Sequence, residues 1–180
     1  MKKIFISFLL IIAIVITGCS NETPDDPNAK FIKGENGDWI FNFTSDEFIQ
    51  EWTNLPQFEG SNFEVGSDEL SAWIVDENNV FIFLYKDSKN SKVCGFYIIT
   101  DYHISVEQYF LTSLYSMLIL KYLDEDLGTD ESVSKQVLDA QNTVSNHKEK
   151  EVRLIIGDYE YKVYSKGEEA FMVSILPNSD

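Results

Sequence analysis

Val80-Phe81-Ile82-Phe83-Leu84-Tyr85 is a run of apolar residues without a charge and without helical spacing. A short continuous run of this kind, bounded by turn signals, reads as a central β-strand that wants cover on both faces. The bounds are present. Asp76-Glu77-Asn78-Asn79 before it is a hairpin turn, and residues 86–92 after it form a polar loop. Upstream of that turn, residues 69–76 alternate, with Leu70, Ala72 and Ile74 on one face and Trp73 and Val75 on the other. Downstream of the loop, Val93-Cys94-Gly95-Phe96-Tyr97-Ile98-Ile99 is again apolar at successive positions. Three strands joined by short connections predict an antiparallel sheet.

Working outward, Trp39-Ile40-Phe41-Asn42-Phe43 reads as a short strand. Thr44 and Glu47 behind it have the spacing of a capping box, in which each side chain satisfies an orphan amide at a helix start. Phe48, Ile49 and Trp52 then share one helical face, and the helix ends before Pro56. Ser105 and Gln108 form a second capping box. Val106, Phe110, Leu114, Met117 and Leu118 recur behind it at helical spacing, with Leu111, Ile119 and Leu120 widening the stripe. A helix this apolar is expected to be buried on much of its surface. Residues 124–128 turn the chain, and Thr129 is expected to cap a shorter helix carrying Val133, Val137 and Leu138. Strands at 152–156 and 159–164 are joined at Gly157-Asp158, and a last strand covers 170–176.

Strands in runs with about three helices between them predict an α+β fold, an antiparallel sheet packed with helices on it. The order also fits a tandem repeat of a helix and three strands, with halves at 39–102 and 103–178. Ser45-Asp46-Glu47-Phe48 and Ser105-Val106-Glu107-Gln108-Tyr109 open the helices of the two halves. This order resembles the tandem helix-plus-sheet arrangement of beta-lactamase-inhibitor-like and PepSY-type domains, which occur in secreted inhibitors and in small surface lipoproteins. The paired cysteines that staple the halves of the inhibitor proteins are missing, so no binding residue is carried over from them.

The N-terminus supplies the compartment. Lys2 and Lys3 precede the run from residue 4 to residue 16, in which Ser7 is the lone polar residue, and Ile16-Thr17-Gly18-Cys19 closes it. A charged start, a short apolar region and a small-residue cleavage site make a secretory signal. At roughly 20 residues for a spanning helix, the apolar run is too short to cross a membrane. The stretch resembles the lipobox of bacterial lipoproteins. That resemblance implies cleavage after residue 18, a lipid on the Cys19 thiol, and attachment to the extracytoplasmic face of a cell membrane of Gram-positive type. Residues 19–38, with Pro24, Pro27 and Gly34-Glu35-Asn36-Gly37, are expected to be a flexible tether, and 39–178 a single domain.

Charge narrows the partners. Residues 1–18 hold two lysines and no acid, so the chain from Cys19 onward has 12 basic residues against 30 acidic ones, a formal net of −18. Nucleic acid is excluded as a partner, because basic patches supply most of such affinity. Chemistry is sparse. His103 lies between a strand and a helix, and His147 in a charged segment; neither has a nucleophile motif beside it. No histidine or cysteine pair has zinc spacing. Residues 124–131 are the densest acidic cluster but fail as an EF-hand, with Gly128 at a ligand position, Thr129 for the turn glycine and Lys135 for the final glutamate. No cofactor, metal or catalytic set is expected. Cys94 reads as a small buried hydrophobe. Tyr159, Tyr161 and Tyr164 are candidates for a contact surface.

The sequence therefore points to a non-enzymatic binding module, inhibitor-, immunity- or envelope-factor-like, for a protein or peptide. An enzyme acting on envelope material with paired carboxylates is the alternative. The doubly apolar strands add one expectation. If the helices all pack on one side of the sheet, Trp73 and Val75 beside Ile82 and Leu84 form a docking face for a protein, a peptide or a second copy of the chain.

Overall fold

The computed structural model describes residues 29–101, 104–146, 151–166 and 170–178. Both capping boxes are formed. The Thr44 amide donates to Glu47 Oε2 at 2.7 Å and the Glu47 amide donates back to Thr44 Oγ1 at 3.3 Å, opening helix α1, Ser45–Thr53. Ser105 and Gln108 exchange the same bonds at 3.0 and 3.1 Å at the start of α2, Val106–Leu123. A short helix α3, Glu125–Thr129, and then α4, Glu131–Ser145, follow. The cap of α4 is Asp130, whose carboxylate accepts from the Ser132 and Val133 amides, and not Thr129, which ends α3. A carboxylate there accepts both orphan amides and meets the positive end of the helix.

The domain starts earlier than the proline- and glycine-rich segment suggests. β1, Phe31–Lys33, pairs antiparallel with β2, Trp39–Phe41, and Gly34-Glu35-Asn36-Gly37 is the tip of that hairpin. Gly37 sits at φ +81°, a conformation that favours glycine. Asp87 accepts from the Glu35 amide and fixes the tip to the body. Residues 31–38 are thus part of the fold; a strand of three residues is too short to leave a periodic signal.

The remaining strands are β3 (Glu64–Ser67), β4 (Ser71–Val75), β5 (Phe81–Lys86), β6 (Val93–Asp101), β7 (Glu151–Ile156), β8 (Tyr159–Lys166) and β9 (Ala170–Pro177). They form one antiparallel sheet of seven strands in the order β3-β4-β5-β6-β9-β8-β7. Each half of the chain is a helical segment followed by a meander, and the last strands of the two meanders, β6 and β9, pair at the centre. The first meander has a fourth strand, β3, whose Glu-Val-Gly-Ser sequence carries no strand pattern.

Two residue rows cross the sheet on its inner face. Ala72, Leu84, Phe96, Ile175, Tyr161 and Leu154 are register partners in turn, as are Ile74, Ile82, Ile98, Val173, Val163 and Val152. From β4 to β8 every member of both rows is at most 1% exposed. Burying such a side chain contributes about 1.5–3 kcal/mol. α4 packs on β7 and β8, α2 on β6, and the β1–β2 hairpin on β6 and β9. Phe48 of α1 meets Phe96 at 4.8 Å between ring centroids and Phe41 of the hairpin meets it at 5.4 Å. All of these elements lie on the inner face.

α2 does not bury the stripe its sequence suggests. Val106 is 89% exposed and Phe110 66%, while Thr112, Ser113 and Ser116 are buried with Tyr115, Ile119 and Leu120. The Thr112 and Ser116 hydroxyls each donate to the carbonyl one turn back, at 2.7 Å, and the Ser113 hydroxyl, 3.0 Å from the Tyr109 carbonyl, has a closer acceptor on α4, so small polar residues enter the core without an unmet donor. The gap they leave admits Gln141 of α4. Its side chain accepts from Ser113 at 2.6 Å and donates to Tyr161 at 2.7 Å, wholly buried.

Candidate binding surface

No described helix or hairpin packs on the outer face of the large sheet. Its rows follow from the same register. Gly66, Trp73, Phe83, Tyr97, Ser174, Lys162 and Arg153 are partners in turn, and beside them run Glu64, Val75, Phe81, Ile99, Met172, Tyr164 and Glu151. The β4–β5–β6 half is thus apolar and aromatic, and the β7–β8 half charged. Phe81 is 40% exposed and Tyr85 50%; Trp73, Phe83, Tyr97 and Ile99 are half-buried by one another. Phe83, Tyr85 and Tyr97 form an edge-to-face cluster with centroids 5.2 and 5.4 Å apart.

Two glycines let side chains lie down on this face. A Cβ at Gly66 would stand 2.3 Å from the Trp73 ring, and one at Gly95 2.3 Å from Leu176. The indole therefore lies across Gly66 with its opposite face turned away from the sheet. At the β3–β4 turn Phe83 and Tyr85 share an open hollow of about 550 Å³ with Asp68, Glu69, Leu70 and Ser71. The Asp68 carboxyl is held below its usual range by the Ser71 hydroxyl and by turn amides. At the other end of the sheet the cations are engaged. Arg153 meets Glu160 at 2.6 Å, and Lys162 lies 3.5 Å from Glu160 and 3.6 Å from Glu151.

The membership of this face differs from the sequence reading. Ile82 and Leu84 are 1% and 0% exposed and lie on the inner face, beside Ala72 and Ile74. The reason is one residue. The β4–β5 connection runs from Asp76 to Val80, not to Asn79, because Asp76 Oδ1 accepts from the Asn78 and Val80 amides at 2.9 Å each and holds Val80 in the turn. A slip of one residue exchanges the faces of a strand. Phe81, Phe83 and Tyr85 thereby join Trp73. Counting Val80 into the turn would have found them from sequence, since Val75 then faces Phe81.

The other candidates fall elsewhere. Tyr159 and Tyr161 are 1% and 0% exposed on the inner face, and Tyr164 is half-buried on the outer one. Tyr159 donates to the Leu123 carbonyl and Tyr161 joins the Gln141 cluster, so the hydroxyls find partners inside. Cys94 is half-buried, and burial, aided by the charges of Asp87 and Asp38, pushes its thiol up to about 11. The acidic segment after α2 is helix and caps: Asp124 accepts from the Asp126 amide and pairs with Lys30 at 2.7 Å. Among the described residues no group of three His, Cys, Asp or Glu side chains is placed to hold a metal. A groove of about 560 Å³ runs between α1 and the end of α2, with Trp52, Leu55, Leu118 and Tyr122 in its walls. Tyr122, above it, is pushed up to about 12 by burial and by Glu51 and Glu47. Trp52 is 2% exposed and its indole N–H has no hydrogen-bond partner among the described residues; it packs among the rings of Phe48, Phe58 and Tyr115. Cys19, His103 and His147 lie outside the described residues. No known protein family, curated protein or solved structure matches the chain.

Proposed function

We propose that this chain is a lipid-anchored extracytoplasmic binding module without catalytic activity, and that the outer face of its large sheet is where a protein or peptide docks. One observation carries the second part. A contiguous patch of Trp73, Phe81, Phe83, Tyr85, Tyr97 and Ile99 stands on the side of the sheet that no described helix covers. Exposed aromatic area of this kind marks interaction sites, because water is displaced from large rigid rings at little entropic cost. The anchor is supported by Ile16-Thr17-Gly18-Cys19 behind a short apolar run. A lipid there would leave the acidic domain free of the bilayer, consistent with its charge.

A photo-crosslinking residue placed at Phe81 or Tyr85 of the full chain, on intact cells, tests the docking face. Adducts to a discrete protein are expected from both positions, and none from Lys135 on the exposed side of α4. Equal adducts from Lys135, or none from Phe81 and Tyr85, would refute it. Replacing Cys19 by Ser tests the anchor: release or retention of uncleaved precursor is expected, and unchanged membrane retention of a processed, unlipidated chain would refute it.

A further inference from the structure

We infer that the docking face takes a cationic polypeptide, one presenting apolar side chains flanked by Lys or Arg; this rests on the outer face being the contact surface. The charges around the aromatic patch decide the class. Glu64 stands beside Val75 in the outer row, Asp68 and Glu69 flank the hollow holding Phe83 and Tyr85, and Glu77 sits at the opposite turn. Lys86 of β5 lies at this rim, but its ammonium is engaged on the Asp68 carbonyl, and Lys89 and Lys92 follow it in the β5–β6 connection. Among the described residues no ion pair engages Glu64, Glu69 or Glu77, whereas Arg153 and Lys162 across the sheet are each held by carboxylates.

An apolar centre with an acidic rim is complementary to the reverse pattern. The rim steers a cationic partner in, and the whole chain at a formal −16 reinforces that field. The rings then offer a second attraction. The Trp73 indole lies over Gly66 with its other face outward, and Tyr85 is half exposed, so a guanidinium or ammonium can stack on them. A second copy of this chain fits less well. Face to face it would set acidic rim against acidic rim, and like charges across an interface oppose association.

The test uses the full-length chain in nanodiscs of zwitterionic lipid. The probes are an alternating Arg-Leu octapeptide and its Glu-Leu counterpart, titrated calorimetrically. The Arg-Leu peptide is expected to bind, and the Glu-Leu peptide to bind at least tenfold more weakly. Phe81→Thr with Tyr85→Thr, which keeps strand propensity at two exposed positions, should weaken Arg-Leu binding at least tenfold. So should Glu64→Lys with Glu69→Lys and Glu77→Lys, and Tyr85→Thr alone should weaken Arg-Leu binding by less than the double substitution. Unchanged Arg-Leu affinity after the charge reversal would overturn the inference. Glu-Leu binding as tight as Arg-Leu binding, and lost with Phe81→Thr/Tyr85→Thr, would also overturn it, yet leave the outer face as the contact surface. Binding of either peptide indifferent to Phe81→Thr/Tyr85→Thr would overturn both. A dimer of the chain that dissociates on the same double substitution would name a second copy as the occupant and overturn the cationic assignment.

Discussion

Replacing Tyr115 by Phe removes one hydroxyl from the contact that holds the β4–β5 turn against α2. That hydroxyl donates to Asp76 Oδ2 at 2.6 Å, and both residues are buried, at 3% and 9% exposed. The other carboxylate oxygen is already committed to the Asn78 and Val80 amides, and those bonds put Val80 in the turn. The substitution therefore strips a donor from a buried charge. Hydrogen bonds to charged groups contribute about 1.5–3 kcal/mol, and an abandoned buried acceptor costs on the same order. A loss of about 2 kcal/mol is expected, or roughly 4–8 °C in Tm at roughly 2–4 °C per kcal/mol for a domain of this size. Urea unfolding of the parent, Tyr115→Phe, Asp76→Asn and the double variant measures it. Asp76→Asn should cost less, because the amide can donate to the Tyr115 oxygen while its carbonyl keeps the turn. The two changes should be coupled by about 1–2 kcal/mol. A Tyr115→Phe variant within about 0.5 kcal/mol of the parent would refute the role given to this bond.

Gly66→Ala places a Cβ where the Trp73 ring lies, at 2.3 Å. The indole must lift, and acrylamide quenching of Trp73 emission, read in a chain with Trp39 and Trp52 replaced by Phe, should rise; unchanged quenching would contradict the packing. Cys94, pushed up to about 11 by burial, should resist iodoacetamide at pH 8, since roughly one thiol in a thousand is then thiolate. Alkylation as fast as in the urea-unfolded chain would contradict that burial. The Asp124 carboxyl is held below its usual range chiefly by the Lys30 hydrogen bond. A lowered folded value means its stabilisation is present above the ordinary carboxylate range and lost as pH falls through the folded one. Lys30→Ala should cost less than about 1 kcal/mol at pH 7, because both side chains are partly in water, and nothing by about pH 2. A cost that persists at pH 2 would contradict the pairing.

What the sequence shows best is local. Thr44 with Glu47 and Ser105 with Gln108 need only a spacing of three, and both boxes form as read. The α+β class follows from runs of strands and helices in order. What it hides is which side of an element faces inward. Val80 to Tyr85 is apolar throughout, so periodicity cannot say that Phe81 and Tyr85 stand in solvent; one side-chain hydrogen bond at Asp76 decides it. In α2 the apolar positions outnumber what the core can cover, and Thr112, Ser113 and Ser116 go inside because their hydroxyls find acceptors, Thr112 and Ser116 on their own helix and Ser113 on Gln141 of α4. The buried Tyr159 and Tyr161 find partners on α2 and α4, sequence-distant groups that no local pattern reveals. Which apolar residues share the outer face is a product of strand register, set by whether Val80 is counted into the turn.

Hydroxyl-radical labelling of the chain on intact cells and after purification tests the docking face most directly. Phe81 and Tyr85, 40% and 50% exposed in the isolated fold, should label strongly in the purified chain and be protected on cells, while Val106 and Phe110, at 89% and 66%, label alike in both. Equal labelling of Phe81 and Tyr85 in the two states would contradict an occupied outer face.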